Sequence, residues 1–330
     1  MQSLANKLLP RKFDIKLQII IDQHNRYRAG KKGGHCATET RYDRARIIRQ
    51  AFAQLFEMGY RLPEPSSLGG RHIQFLMQRW DQEGISVSVL HTRISYLRTF
   101  SAWIGKTGMV KDVHDYLPNR DLTRRGANKK KNRAWLANGV DPQEVIAWAR
   151  ALDERLGLML ALEEAFALRM KEAIEMRPAY CLVESGKAIE IYEGTKGGRI
   201  RRIDLDTEHK RQVFEWAQQV VSKDRSGRVR WPDLTWKQAR RHYYYLLSEK
   251  LGVNNKELGV TSHGLRHGYA QDKYENITGV PSPITGGAPQ QVDPAKHHEA
   301  AIEVSRDLGH GRTQITTTYY GSHGHALRKK

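Results

Sequence analysis

Three short stretches in the second half of the chain gather side chains able to work on a phosphodiester. Ser262-His-Gly-Leu-Arg-His267 sets His263 and Arg266 three residues apart, on one face of a helix. Leu308-Gly-His-Gly-Arg312 puts His310 directly after a glycine that can end a helix. Thr316-Thr-Thr-Tyr-Tyr320 offers two phenols in a polar, basic context. Such chemistry needs fixed cations for the phosphoryl oxygens, a proton donor and a nucleophile. Arginine suits the first task because its planar fork binds two oxygens at once. His263 and His267 also have the i, i+4 spacing of zinc ligands, but a third and fourth ligand are lacking and no Glu adjoins His263. No metal site and no Gly-rich nucleotide loop is predicted. His297, His298, His323 and His325 read as solvated polar residues.

Composition says what surrounds these groups. The chain has 330 residues, enough for two domains with separate cores. Its 55 Lys and Arg against 36 Asp and Glu give a net charge of +19. Charge of that size repels itself and points to a polyanionic partner, nucleic acid before an anionic membrane surface. No apolar run approaches the roughly 18 residues of a membrane span. The most apolar stretch, Leu156 to Phe166, carries Glu163 and Glu164. No secretory signal is visible at the N-terminus, and two distant cysteines, Cys36 and Cys181, make no disulfide framework. These features predict a cytoplasmic protein.

The elements that must position the chemistry fall into four segments. Residues 1–37 form a basic N-terminal segment ending in the flexible stretch Arg28 to Gly34. Residues 38–118 form a helical domain. Thr40-Arg-Tyr-Asp43 looks like a capping box, and Ile48, Phe52, Leu55 and Phe56 follow at helical spacing. Ile73, Leu76, Met77 and Trp80 mark a second helix; Leu90, Ile94, Leu97 and Ile104 mark a third. Residues 119–140 are a basic linker. It carries Arg124, Arg125, Lys129, Lys130 and Lys131, and almost nothing to bury, so it reads as solvated and able to lie on phosphates. Residues 141–330 begin with Asp141-Pro-Gln-Glu144, a capping box with proline at the first helical position. Alternating runs at 180–183, 187–192 and 199–205 predict a small antiparallel meander, and helical periodicity returns near 207–222, 236–251, 263–275 and 297–307. Residues 278–294 read as a Gly/Pro-rich loop.

His-Gly-Leu-Arg-His, then Leu-Gly-His, then a tyrosine nine residues on resembles the tyrosine recombinases, or phage integrases. Ala167-Leu-Arg-Met-Lys-Glu172 resembles the family motif with the first catalytic arginine and an acidic residue three positions later, matching Arg169 and Glu172. Gly194-Thr-Lys-Gly-Gly-Arg-Ile-Arg-Arg-Ile203 resembles the hairpin with the catalytic lysine, matching Lys196. The resemblance is specific over about 140–325, and over 38–110 it extends only to a helical bundle like the family's SAM-like domain. It implies a mostly α, α+β protein: an N-terminal SAM-like bundle and a catalytic domain with a small antiparallel sheet.

The resemblance also implies the roles. Tyr319 is the nucleophile, selected over Tyr320 by its spacing from Leu-Gly-His, and forms a 3′-phosphotyrosyl bond. His263 is the base, Lys196 the acid for the leaving 5′-oxygen, Arg169 and Arg266 hold the non-bridging oxygens, and His310 hydrogen-bonds the phosphate. Glu172 and His267 are supporting residues. Arg199, Arg201 and Arg202 read as phosphate contacts or a solvated strand face. No cofactor is needed, because the covalent bond conserves the phosphodiester energy. The expected partner is double-stranded DNA at specific sites, with a homo-tetramer on synapsed DNA, nucleoid association when DNA-bound and a possible directionality factor. Segment 1–37 is the extra material available for directional control of a mobile-element integrase. The stretch from Arg266 to His310 is longer than the family's, and the 278–294 loop, as a DNA or subunit contact or an inert surface loop, accounts for the excess. The rivals are a type IB topoisomerase-like or telomere-resolving enzyme and a catalytically silent DNA-binding regulator.

Overall fold

The computed structural model describes residues 9–27, 34–118 and 131–322. The chain divides into two compact units, Met1–Arg125 and Gly126–Lys330.

The first unit is a helical bundle. Its helices are α1 (Arg11–His24), α2 (Thr38–Glu57), α3 (Gly70–Gln82) and α4 (Val87–Trp103), followed by the single turn α5 (Val113–Tyr116). Ile48, Phe52, Leu55, Ile73, Leu76, Trp80, Leu90, Ile94 and Leu97 form one core, as their spacing predicts. Helix α2 starts two residues before the expected capping box, and Ala37 at its N-cap supplies no side-chain bond. The N-terminal segment expected to stand apart belongs to this core. Phe13, Leu17 and Ile21 recur every four residues along α1 and are buried in the same cluster. The Phe13 ring meets Phe52 and Phe56 edge-on, at 5.1 and 5.0 Å. A basic context hides this stripe, but three apolar residues at one helical spacing suffice to seat a helix. The flexible stretch expected at Arg28 to Gly34 lies, but for Gly34, outside the described residues.

The second unit opens with α6 (Pro142–Leu152), where the Asp141 carboxylate accepts from the Gln143 N–H at 2.8 Å. Helix α7 (Glu154–Ala165) is buried nearly all round from Leu156 on, which explains its apolar run Leu156 to Leu162. After α8 (Met170–Glu175) and the turn α9 (Pro178–Cys181) come β1 (Leu182–Val183), β2 (Ala188–Ile191) and β3 (Arg201–Asp204), an antiparallel sheet in the order β1-β2-β3. Tyr180 falls in α9 rather than a strand, because Pro178 at the first helical position starts a turn. Ile189 and Ile203 are register partners, both buried; Glu190 and Arg202 pair on the other face.

Helices α10 (Glu208–Val221), α11 (Trp236–Tyr245), α12 (His263–Thr278), α13 (Pro294–Asp307) and α14 (Thr313–Tyr320) complete the unit. Helix α12 packs against α7, α13 and α14, so the two Gly-His motifs and the tyrosine pair converge on one helix. The 279–293 loop is not wholly a surface feature. Ser282 and Ile284 are buried, and the Ile284 N–H donates to the Tyr320 carbonyl at 2.9 Å, closing the end of α14.

Candidate active site

Arg169 occupies the N-cap of α8, reached through Ala167 in the left-handed region at φ 49°. Glu172, three residues on and fully buried, accepts the Arg169 N–H at 2.7 Å and its Nη1 at 2.7 Å. The same carboxylate accepts Arg201 Nη2 at 2.6 Å. Two carbonyls finish the frame. Ala167 O accepts from Arg266 and, at 3.4 Å, from Arg201; Leu308 O accepts from Arg266 and, at 3.2 Å, from Arg169. Gly309 follows at φ 62°, where a Cβ would approach Arg201 Cδ to 3.0 Å, so the turn needs glycine both for conformation and for room.

Two guanidiniums, Arg169 and Arg201, thus share one carboxylate, and Arg266 joins them through the Ala167 and Leu308 carbonyls. Positive charge exceeds negative in a buried setting, which favours an anionic ligand. Burial, then Arg201 and Arg169, lowers the Arg266 pKa to about 9, so it remains a cation at neutral pH. The Nε–H groups of Arg201 and Arg266 have no acceptor among the described residues. His310 shows the same field. Burial first, then Arg266, Arg169, Arg201 and Lys196, lowers its pKa to about 3, so its imidazole is neutral.

Tyr319 lies in the middle of this group. Its hydroxyl is 3.3 Å from His310 Nε2, and the Arg266 Cζ stands 5.6 Å from its ring centre. The rings of His263, His267 and His310 surround it at 5.6, 4.7 and 5.5 Å. Tyr320 points elsewhere. It stacks on Tyr274 with centres 4.9 Å apart, fully buried, and its hydroxyl has no partner among the described residues. One helix position separates the two rings by about 100°, which suffices for this division.

The structure thus brings Arg169, Glu172, His263, Arg266, His267, His310 and Tyr319 together. Lys196 sits exposed in the turn Lys196–Gly198 between β2 and β3, near enough for its charge to act on His310. Arg199 is exposed and lies against Gly311, where a Cβ would come within 2.0 Å of its Nη1. One phosphate-contact expectation needs correction. Arg201 is buried and committed to Glu172, Ala167 O and Asp307 O, so it cannot reach a phosphate backbone from the surface. Arg202 is half-exposed on the outer strand face, where it pairs with Glu184 at 2.6 Å and Asp204 at 2.8 Å. Strand alternation carried the signal: Arg201 shares the inward face with Ile203. Arg124, Arg125, Lys129 and Lys130 lie outside the described residues; Lys131 is exposed. Among the described residues, no group of three or more His, Cys, Asp or Glu could hold a metal, and no helix is long and apolar enough to cross a membrane.

Comparison with known proteins bears on the family and the fold. Residues 25–110 match the family model for the phage integrase N-terminal domain, and residues 129–272 match the integrase model. No curated protein sequence matches the chain. Among solved structures, the lambda integrase (75–356) dimer bound to a COC′ core site is similar at 14% identity, covering 95% of this chain and 96% of that one, with a TM-score of 0.57. The Tn1549 transposon integrase in complex with a circular intermediate DNA gives 14%, 93%, 95% and 0.55 on the same measures. XerH site-specific recombinase bound to a palindromic difH substrate gives 15%, 85%, 78% and 0.52. At these identities the structural likeness shows the fold.

Proposed function

The chain belongs to the tyrosine recombinase (phage integrase) family and is a site-specific DNA recombinase, and from that premise we propose that it integrates and excises a mobile element through a 3′-phosphotyrosyl bond to Tyr319. The observation that carries this is the division between the two tyrosines: Tyr319 faces three histidines and Arg266, whereas Tyr320 is stacked into the core.

Tyr319 Oη attacks the scissile phosphorus while its proton passes to His263. Arg169 and Arg266 hold the non-bridging oxygens and meet the charge that grows in the transition state. The 5′-oxygen leaves with a proton from Lys196. Neutral His310 hydrogen-bonds the phosphate, having held the phenol beforehand. Arg201 does not touch the substrate; with Glu172 it fixes Arg169. A 5′-hydroxyl from a second strand then attacks the phosphotyrosine, and the steps reverse. Arg199 and the linker lysines contact the DNA backbone. Two protomers meet on each site, and synapsis of two sites gives a tetramer. A directionality factor sets the balance of integration and excision, since strand exchange is nearly energy-neutral.

The test is covalent capture. The protein is incubated with duplex DNA from its own element's junction, labelled at the 5′ end, and run on a denaturing gel. Label retained on the protein, and lost in Tyr319→Phe, is the expected result. Capture of 3′-end label instead would reverse the polarity and overturn the assignment. Cleavage without any strand-exchanged product would favour a topoisomerase-like or telomere-resolving activity.

A further inference from the structure

The last carbonyls of a helix have no partner within it. In α14 two of these belong to Tyr319 and Tyr320. The Tyr320 carbonyl is taken by the Ile284 N–H. The Tyr319 carbonyl is taken by a side chain: Gln271 Nε2 donates to it at 3.0 Å from a buried position on α12.

Gln271 is itself held by the end of the basic linker. Asn132 and Gln271 form a reciprocal amide pair, Nδ2 to Oε1 at 3.1 Å and Nε2 to Oδ1 at 2.9 Å. The Ala134 N–H donates to Asn132 Oδ1 at 2.9 Å, which settles which way the Asn132 amide faces. That orientation turns its NH2 toward Gln271 Oε1, and so turns the Gln271 NH2 toward Tyr319. Both Gln271 N–H bonds are then used, one on Asn132 and one on the Tyr319 carbonyl. A flipped Gln271 would set oxygen against oxygen. The linker end is fastened nearby as well. Trp135 Nε1 donates to Thr261 O at 2.7 Å, and a Cβ on Gly264 would stand 2.5 Å from Arg133 O, so the strand of chain lies flush on the start of α12.

We propose that Asn132 and Gln271 are positioning residues for Tyr319, which tie the backbone of the nucleophile to the linker end that directly follows Lys129, Lys130 and Lys131. The inference rests on the proposed phosphotyrosyl function. When the linker end is seated, Gln271 presents its donor and Tyr319 keeps its register among Arg266, His263 and His310. When it is not, the Gln271 amide is released to turn and α14 loses the bond at the residue that reacts.

The test is single-turnover formation of the covalent adduct on nicked junction duplex, at saturating DNA, with DNA affinity and thermal melting measured on the same samples. Asn132→Ala and Gln271→Ala should each slow adduct formation about tenfold, the scale of one buried hydrogen bond, with affinity changed less than twofold. The double variant should be no slower than the slower single one, because both remove the same relay. Asn132→Asp keeps the acceptor for Ala134 but loses the donor to Gln271, so it should slow the adduct while folding normally; it also decides the matter if the alanine variants melt. Rates equal to the unaltered chain, or losses that multiply in the double variant, would overturn the inference alone. No adduct with the unaltered chain would overturn the proposed function and this inference with it.

Discussion

Arg201 donates to the Glu172 carboxylate at 2.6 Å, and both residues are shut off from solvent. The pair is the hidden half of the site: Glu172 also holds Arg169, so a buried arginine helps fix the one that the proposed mechanism sets on the phosphate. Burial lowers the Arg201 pKa, and the Glu172 charge opposes that effect. Removing Arg201 leaves Glu172 with Arg169 alone and the Asp307 carbonyl without this donor, at a cost of about 1–3 kcal/mol for the unsatisfied group. Arg201→Ala should lose stability on that scale in denaturant titration. Arg201→Lys should recover little, because an ammonium cannot span Glu172, Ala167 O and Asp307 O as the guanidinium fork does. A surface-like loss below about 0.5 kcal/mol would mean that Glu172 does not need this partner.

The two tyrosines make a sharper contrast. Tyr319→Phe removes the proposed nucleophile and should abolish the covalent adduct while DNA affinity stays within about twofold. Tyr320→Phe removes a buried hydroxyl without a partner among the described residues. Burial without a hydrogen bond is unfavourable, so this variant should melt at the same temperature or higher and still form adduct. If the adduct instead depends on Tyr320, the assignment of the nucleophile fails.

What could be read from the sequence follows from how local the signal is. Arg169 with Glu172 and His263 with Arg266 lie three residues apart and His310 with Tyr319 nine apart, so a short motif carries each group. The helices that present them announce themselves by apolar spacing, as α3 does with Ile73, Leu76, Met77 and Trp80. Arg201 escapes a local reading because its place depends on long-range partners, Glu172 and the Asp307 carbonyl. Beside Arg199 and Arg202, it has the sequence context of a surface cation. The Asn132–Gln271–Tyr319 connection joins residues 139 apart and then 48 apart, and no local pattern could show it.

Glu163 gives a prediction for pH. It is buried on α7, accepts from the Tyr243 hydroxyl at 2.6 Å, and burial raises its pKa from 4.5 to about 8. A carboxyl raised in the folded state favours folding below its unfolded pKa, and that contribution is lost as pH rises from 4.5 through about 8. Each pH unit inside that window costs about 1.4 kcal/mol. Glu163→Gln keeps an acceptor for Tyr243 and removes the titration. It should match the unaltered protein near pH 4 and melt higher at pH 9. An equal melting difference at both values would remove Glu163 as the cause.

The linker lysines should show in salt dependence. Each phosphate neutralised adds a slope of roughly −0.9 in log K against log salt. Replacing Lys129, Lys130 and Lys131 with alanine should flatten the slope by up to about three such increments, without changing the preferred sequence. Titrations at several salt concentrations check this. An unchanged slope would leave the linker as a solvated connection.

Deletion of the N-terminal segment now carries a different expectation from the one its basic character suggests. Residues 1–37 include α1, whose Phe13, Leu17 and Ile21 lie inside the core of the first unit, with Asp14 paired to Arg49 on its flank. Removing the segment exposes the faces of Phe52 and Phe56 that Phe13 covers. Burial of side chains of this size stabilises by about 1.5–3 kcal/mol each, so the truncated chain should lose the folding of its first unit rather than a separable directional function. Phe13→Ala isolates the packing from the length change. It should cost about 3–5 kcal/mol, as large-to-small changes at buried aromatics do, and lower the melting temperature of the first unit. Core-site binding should weaken in proportion to the fraction unfolded. A truncated protein that melts as the intact one does, and loses only the balance between integration and excision, would restore the segment as an independent control element and show that α1 contributes little to the core it enters.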